Sequence, residues 1–343
     1  MRIDYNELYS RPQYANDDPR LPETFQKYRI EQKIGEGAVS FVYRVRRLDT
    51  GKPVRLKVLR KRICRLAGIR EKIIQLDREL QAYRGENILP YHGSGGHDDN
   101  LFLEFDYIEA ISLRKLIDRD GPFHPDLVAL IALGLVAVLQ QIHGTRPSPG
   151  MGNIIPLHRN LTPENVLITP AGQIVLTDID MVEIADFAEK HRLQLPYSPL
   201  CYRSPEQLLR DYADRRSDIF SLGMLMLEMT CRRLPWVGMN NYHTRQNIRE
   251  NKGGKLKGFY PKSESGERNL LTRQLGKIIA GLISHNPNKR IQETVDIEDL
   301  LAGYLATAKY RDQSQEIAEF LSRRGFNPQR ERQRGFLERL MGK

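Results

Sequence analysis

Apolar positions fall into short alternating runs near the start of the chain and into helical spacing over the rest. Residues 28–34, 40–46 and 53–59 read as strands, separated by turn signals at Gly35-Glu36-Gly37 and Asp49-Thr50-Gly51. Over 62–84 the residues Ile69, Ile73, Leu76, Leu80 and Tyr83 recur at intervals of three and four, which predicts a helix. Two further strands are expected near 88–93 and 101–107, around the turn-forming Gly93-Ser94-Gly95-Gly96-His97-Asp98. After Ser112 the pattern is mainly helical. Strands gathered first and helices after them predict an α+β fold: a small β-rich lobe followed by a larger helical one.

Composition changes this picture little. Hydrophobic residues make up 40% and charged residues 28%, ordinary values for a soluble globular chain. The longest apolar run, 127–139, is shorter than the roughly 20 residues that cross a bilayer, so it reads as a buried helix and not a transmembrane segment. Residues 1–26 are polar and punctuated by Pro12, Pro19 and Pro22, an extension without a signal-peptide pattern. Residues 145–151, with two prolines, read as an inserted loop. Cys64, Cys201 and Cys231 are scattered, which argues against a disulfide framework or a structural zinc and fits a cytoplasmic setting. The formal net charge of +10 is concentrated in 55–72 and 323–343. Without interleaved aromatics it gives no strong nucleic-acid signal. The basic tail, 303–343, carries Ile317, Phe320, Leu321, Phe336, Leu337, Leu340 and Met341 at amphipathic spacing, a candidate docking element for a protein partner.

Candidate chemistry lies in four places. Gly35-Glu36-Gly37-Ala38-Val39-Ser40 sits between two strands, where a dinucleotide fold would want a helix to follow. Val54-Arg55-Leu56-Lys57 occupies the third strand. His158-Arg159-Asn160-Leu161-Thr162-Pro163-Glu164-Asn165 and Asp178-Ile179-Asp180 complete the set.

Together these motifs resemble the Hanks-type serine/threonine protein kinases over about 28–302. His158 to Asn165 matches H-R-D-L-K-P-E-N at six of eight positions. The resemblance implies a bilobal fold with an N-lobe over 27–109 and a C-lobe over 110–302, and ATP and Mg2+ as ligands. Lys57 would orient phosphates, with Gly35, Gly37, Val42, Arg55, Asp106, Ile108 and Leu167 around the nucleotide. Asn165 and Asp178 would hold the metal. Glu79, or its rival Asp77, would pair with Lys57. Phe105 would be the gate residue, Asp218 would hold the catalytic loop and Arg290 would pair with Glu206. Tyr197, Ser198 and Tyr202 are candidate phosphate acceptors facing Arg159.

The departures are chemical. Asn160 stands at the position of the catalytic base, and an amide cannot take a proton from a substrate hydroxyl. Thr162 replaces a lysine, Ile179 and Asp180 replace the phenylalanine and glycine, Ser40 replaces a glycine, and Pro199 stands where a threonine is common. Asp180 is a candidate displaced base. Arg55 replaces a small residue. It is expected either to pair with Asp106 or Glu104, partly blocking the purine site, or to snorkel to solvent. The implied function is a pseudokinase, a regulatory or scaffolding module with impaired ATP/Mg2+ binding. The alternative is a weak or divergent ATP-dependent serine/threonine kinase.

Overall fold

β-Branched and aromatic residues in alternation build an antiparallel sheet first, and long apolar helices follow. The computed structural model describes residues 19, 21–145, 156–179, 181–193, 195, 200–209, 212–252, 271–306 and 312–326. In chain order come β1 (Thr24–Phe25), β2 (Tyr28–Glu36), β3 (Ser40–Arg47), β4 (Pro53–Leu59), α1 (Lys61–Cys64), α2 (Ile69–Leu80), β5 (Tyr91–His97), β6 (Asn100–Asp106) and β7 (Ile111–Ser112). Then follow α3 (Leu113–Asp120), α4 (Pro125–His143), β8 (Val166–Ile168), β9 (Ile174–Leu176), α5 (Val182–Lys190) and α6 (Pro205–Leu209). The last are α7 (Arg215–Cys231), α8 (Asn241–Arg249), α9 (Arg273–Leu282), α10 (Thr294–Leu305) and α11 (Gln313–Arg323).

The chain divides into two compact units. One comprises Met1–Tyr107, Ile142–Asn160 and Asp178–Leu200. Its six-stranded sheet has the order β1-β2-β3-β4-β6-β5, every neighbour antiparallel. Tyr28, Phe41, Val45, Leu56, Val58 and Phe102 form a core cluster in this unit. Here β4 is interior, hydrogen-bonded to β3 on one edge and β6 on the other.

Two expectations for this unit need correction. The helix expected over 62–84 is two helices, broken before α2 at Gly68 with φ 80°. The glycine-rich stretch expected to turn at 93–98 is instead most of β5, and the strand begins at Tyr91. The ring of Phe102 lies tight against this strand, so that a Cβ on Gly95 would collide with it. The glycine is there for close packing, not for bending.

The second unit comprises Ile108–Gln141, Leu161–Thr177 and Cys201–Lys343. It is mainly helical, with a small sheet of order β7-β8-β9. Asp214 starts α7 with a capping box to Ser217, and residues 217–231 of that helix are all buried. Arg114 of α3 reaches Glu228 of α7 at 2.9 Å, Tyr202 at 2.7 Å and Glu164 at 3.0 Å. Arg290 grips Glu206 with two bonds, 2.7 and 3.0 Å, as the resemblance implied. α4 runs for 19 residues, longer than the apolar run that marked it, and by length and composition would suffice to cross a membrane. Since 72% of its apolar window is buried inside the fold, it serves as a core helix.

The tail is not a free appendage over its first half. Asp312 caps α11 through the Gln315 N–H, and the Gln313 amide donates to Leu130 O at 2.8 Å. Ile317 and Leu321 are each 1% exposed, and Phe320 meets Phe123 edge-on. The β8–β9 turn comes so close that a Cβ on Gly172, itself at φ 77°, would run into the backbone of Ser314. The apolar face of α11 is thus buried against its own chain. Phe336, Leu337, Leu340 and Met341 fall outside the described residues, as do positions 146–151 of the expected inserted loop, Asp180, Tyr197, Ser198 and Pro199.

Candidate active site

Alternation along β4 sends Arg55 and Lys57 to the same side, and both reach Asp178 within the first unit. Lys57 Nζ lies 2.6 Å from Asp178 Oδ2, and Arg55 Nη2 lies 3.8 Å from Asp178 Oδ1. Their side chains are 5% and 12% exposed. Burial pushes the Lys57 ammonium below its ordinary range; Asp178 opposes that shift and Arg55 adds to it. The buried Arg55 Nε has no hydrogen-bond partner among the described residues. Asp178 holds φ 67°, a left-handed backbone rare for a residue with a side chain.

This geometry corrects the expectations for Arg55 and for the helix carboxylate. Arg55 pairs with neither Asp106 nor Glu104, and it does not snorkel out. Glu104 accepts from Tyr28 Oη at 2.5 Å and from Arg47 at 3.2 Å, while Asp106 sits 2.6 Å from His92 Nε2. The guanidinium therefore lies beside Lys57 and not at the hinge strand. Glu79 is buried but accepts from Gln75 at 2.9 Å, one helical turn away, and forms no ion pair with Lys57. Asp77 accepts from Tyr91 Oη at 2.6 Å and from the Ser94 N–H at 3.0 Å, so it serves β5.

The glycine loop is closed on itself, the Gly37 N–H donating to Ser40 O at 2.9 Å. Val42 lies across from Lys57 in the β3–β4 register, and Gly35 lies across from Val42. Arg60, at the end of β4 and 0% exposed, grips this loop three times. Its N–H donates to Val39 O at 3.0 Å, its Nε to Gly37 O at 3.0 Å and its Nη2 to Glu36 Oε1 at 2.8 Å. The guanidinium also stacks over Phe41, 4.4 Å from the ring centre. Sequence reading missed this residue, because an arginine closing an apolar strand carries no pattern of its own.

A second missed residue is Glu183, in the first turn of α5. It accepts from Lys72 of α2 at 2.5 Å and from Arg159 at 2.5 Å. Burial pushes its carboxyl up, but Lys72, Arg159 and Lys190 outweigh that and hold it below its ordinary value. Arg159, at φ 59°, has the same left-handed backbone as Asp178, and both are tied by charged side chains. The Asn160 N–H donates to His158 Nδ1 at 3.2 Å.

In the second unit, the Asn165 N–H donates to Thr162 O and the Thr177 N–H donates to Asn165 O, both at 3.0 Å, which fixes the turn entering β8. Leu167 pairs with Val175 in the β8–β9 ladder, and Ile108 is half-buried just before β7. Tyr202, a candidate phosphate acceptor, is 1% exposed with its hydroxyl on Glu228 at 2.5 Å. It is a core residue and is closed to modification in this fold.

A magnesium ion wants oxygen ligands, including one or two carboxylates free to accept it. The Asp178 carboxylate carries a lysine on one oxygen and faces an arginine on the other. Asn165 would add only a neutral amide. As arranged, the Asp178 carboxylate is engaged by cations and does not fit a divalent metal.

With this arrangement in view, the family assignment is direct. The protein kinase domain family matches residues 28–302, and the chain belongs to that family. Curated relatives are serine/threonine-protein kinases. PknL of Mycobacterium bovis is 30% identical over 215 residues, which cover 62% of this chain and 51% of that protein. PrkC of Bacillus subtilis is 27% identical over 215 residues, 62% of this chain and 31% of that protein. Pkn3 of Myxococcus xanthus is 28% identical over 222 residues, 61% and 38% respectively. The chain thus spans about half or less of the length of these relatives. The family in general uses ATP and Mg2+.

Proposed function

We propose that this chain is a pseudokinase: a kinase-fold module that regulates or scaffolds a protein partner and does not turn over ATP at a kinase rate. One observation carries the reading. The aspartate a metal would need is spent on Lys57 at 2.6 Å, with Arg55 beside it. Asn160 supports it, since its amide has no proton-accepting carboxylate. A positioned base contributes about 10²- to 10⁴-fold, and loss of metal binding removes charge neutralisation on the transferring group as well.

Label transfer from γ-labelled ATP with Mg2+ to a generic serine/threonine peptide tests the reading. Turnover far below the roughly 1–100 per second of working kinases is the expected result. Transfer within that range would return the chain to the serine/threonine kinases proper.

A further inference from the structure

The charge count around Asp178 has a consequence for ligand chemistry. Two cations, Arg55 and Lys57, converge on a single carboxylate, and the carboxylates that might have balanced the second cation are committed elsewhere. Glu79 is bound to Gln75, Asp77 to Tyr91, Glu104 to Tyr28 and Asp106 to His92. Among the described residues the cluster is therefore net positive, and it is largely buried. One of its donors, Arg55 Nε, is out of water without a partner among the described residues. Buried donors without acceptors are costly, and a buried excess of positive charge more so.

We propose that the Arg55–Lys57 pair takes the phosphate chain of a nucleoside di- or triphosphate directly, without a divalent metal. Arginine suits such a ligand because its planar fork presents paired N–H donors that match phosphate oxygens, while lysine adds a compact point charge. The ligand brings the negative charge the cluster lacks and supplies the missing acceptors. A magnesium ion does the opposite on both counts. It would have to displace Lys57 from Asp178, settle beside Arg55, and reduce the negative charge that makes the phosphate attractive. This inference rests on the pseudokinase reading, and it assigns that site a ligand and an unusual metal dependence.

The test is a thermal-shift and calorimetric titration of the full chain with ATP, once in EDTA and once in excess MgCl2. The expected result is stabilisation in EDTA equal to or larger than that in MgCl2. Arg55→Ala should weaken binding in EDTA roughly tenfold or more, the loss of a charge-assisted phosphate contact, and should make added Mg2+ strengthen binding. Should that variant fail to fold, Arg55→Gln keeps most of the side chain's length without its charge and serves in its place. Lys57→Ala should abolish the EDTA signal, which separates this site from general attraction to a basic protein. Binding that requires Mg2+, binding that Arg55→Ala and Lys57→Ala leave unchanged, or no binding in EDTA would each overturn the inference. Label transfer at a kinase rate is a separate readout, and it is the one that sinks the pseudokinase reading.

Discussion

Lys57 takes its carboxylate from Asp178 and not from α2, with 2.6 Å between Nζ and Oδ2. In working protein kinases the lysine and a helix glutamate pair while the aspartate holds metal, and both arrangements are needed together. Here one ion pair withdraws both groups at once, and Arg55 holds the aspartate from its other side.

Restoring the base alone should therefore fail. Asn160→Asp is expected to leave label transfer within about tenfold of the parent, although a working base is worth about 10²- to 10⁴-fold. Adding Arg55→Ala to it should give a measurable gain, since Asp178 then faces one cation and not two. A large gain from Asn160→Asp by itself would show that Asp178 is available after all.

The Glu206–Arg290 pair sets an acid limit on stability. Burial pushes the Glu206 carboxyl up, but Arg290 and Ser217 more than compensate, so its folded value lies below the ordinary 4.5. A depressed carboxylate contributes stability that is full above the unfolded value and is lost as pH falls through the folded one. Melting temperature should drop as pH falls below about 4.5, and Glu206→Gln should flatten that drop. Arg290→Met, which strands a buried carboxylate, is expected to cost about 3–5 kcal/mol at neutral pH in chemical denaturation.

Glu183 should act as a brace on α2. Glu183→Gln removes the charge that Lys72 and Arg159 share, at a cost of about 1–2 kcal/mol for partly exposed charged bonds. Hydrogen exchange along Ile69–Leu80 should quicken in this variant while the α7 amides stay protected. Equal protection of α2 in both proteins would refute the brace.

The tail helix should matter to global stability. Ile317→Ala empties a fully buried position and is expected to cost about 2–5 kcal/mol by denaturant titration. A loss below about 0.5 kcal/mol, the range of ordinary surface substitutions, would mean α11 does not stay docked.

Much of this fold was legible in the sequence because its signals are local. Strand alternation and the turns at Gly35-Glu36-Gly37 and Asp49-Thr50-Gly51 mark β2, β3 and β4. The pair Glu206–Arg290 followed from the family resemblance. What could not be read was partner choice over distance. The neighbouring strand offers Arg55 both Glu104 and Asp106, yet its actual partner, Asp178, lies more than a hundred residues along the chain. Glu79 and Asp77 lie two positions apart on one helix, and neither serves Lys57. Their partners are set by how α2 lies against β5 and α5, which spacing alone does not encode. The run 93–97 misled for a different reason: Gly95 makes room for the Phe102 ring, and composition alone cannot separate that use from a turn.

Arg60 gives the glycine loop a different thermodynamic character from a free hairpin tip. Held at Glu36, Gly37 and Val39 by one buried side chain and its own backbone, the loop gave up its disorder when the chain folded. A guest arriving beneath it meets a roof that is already set, so little entropy is surrendered at docking, and departure must wait for a salt bridge to part.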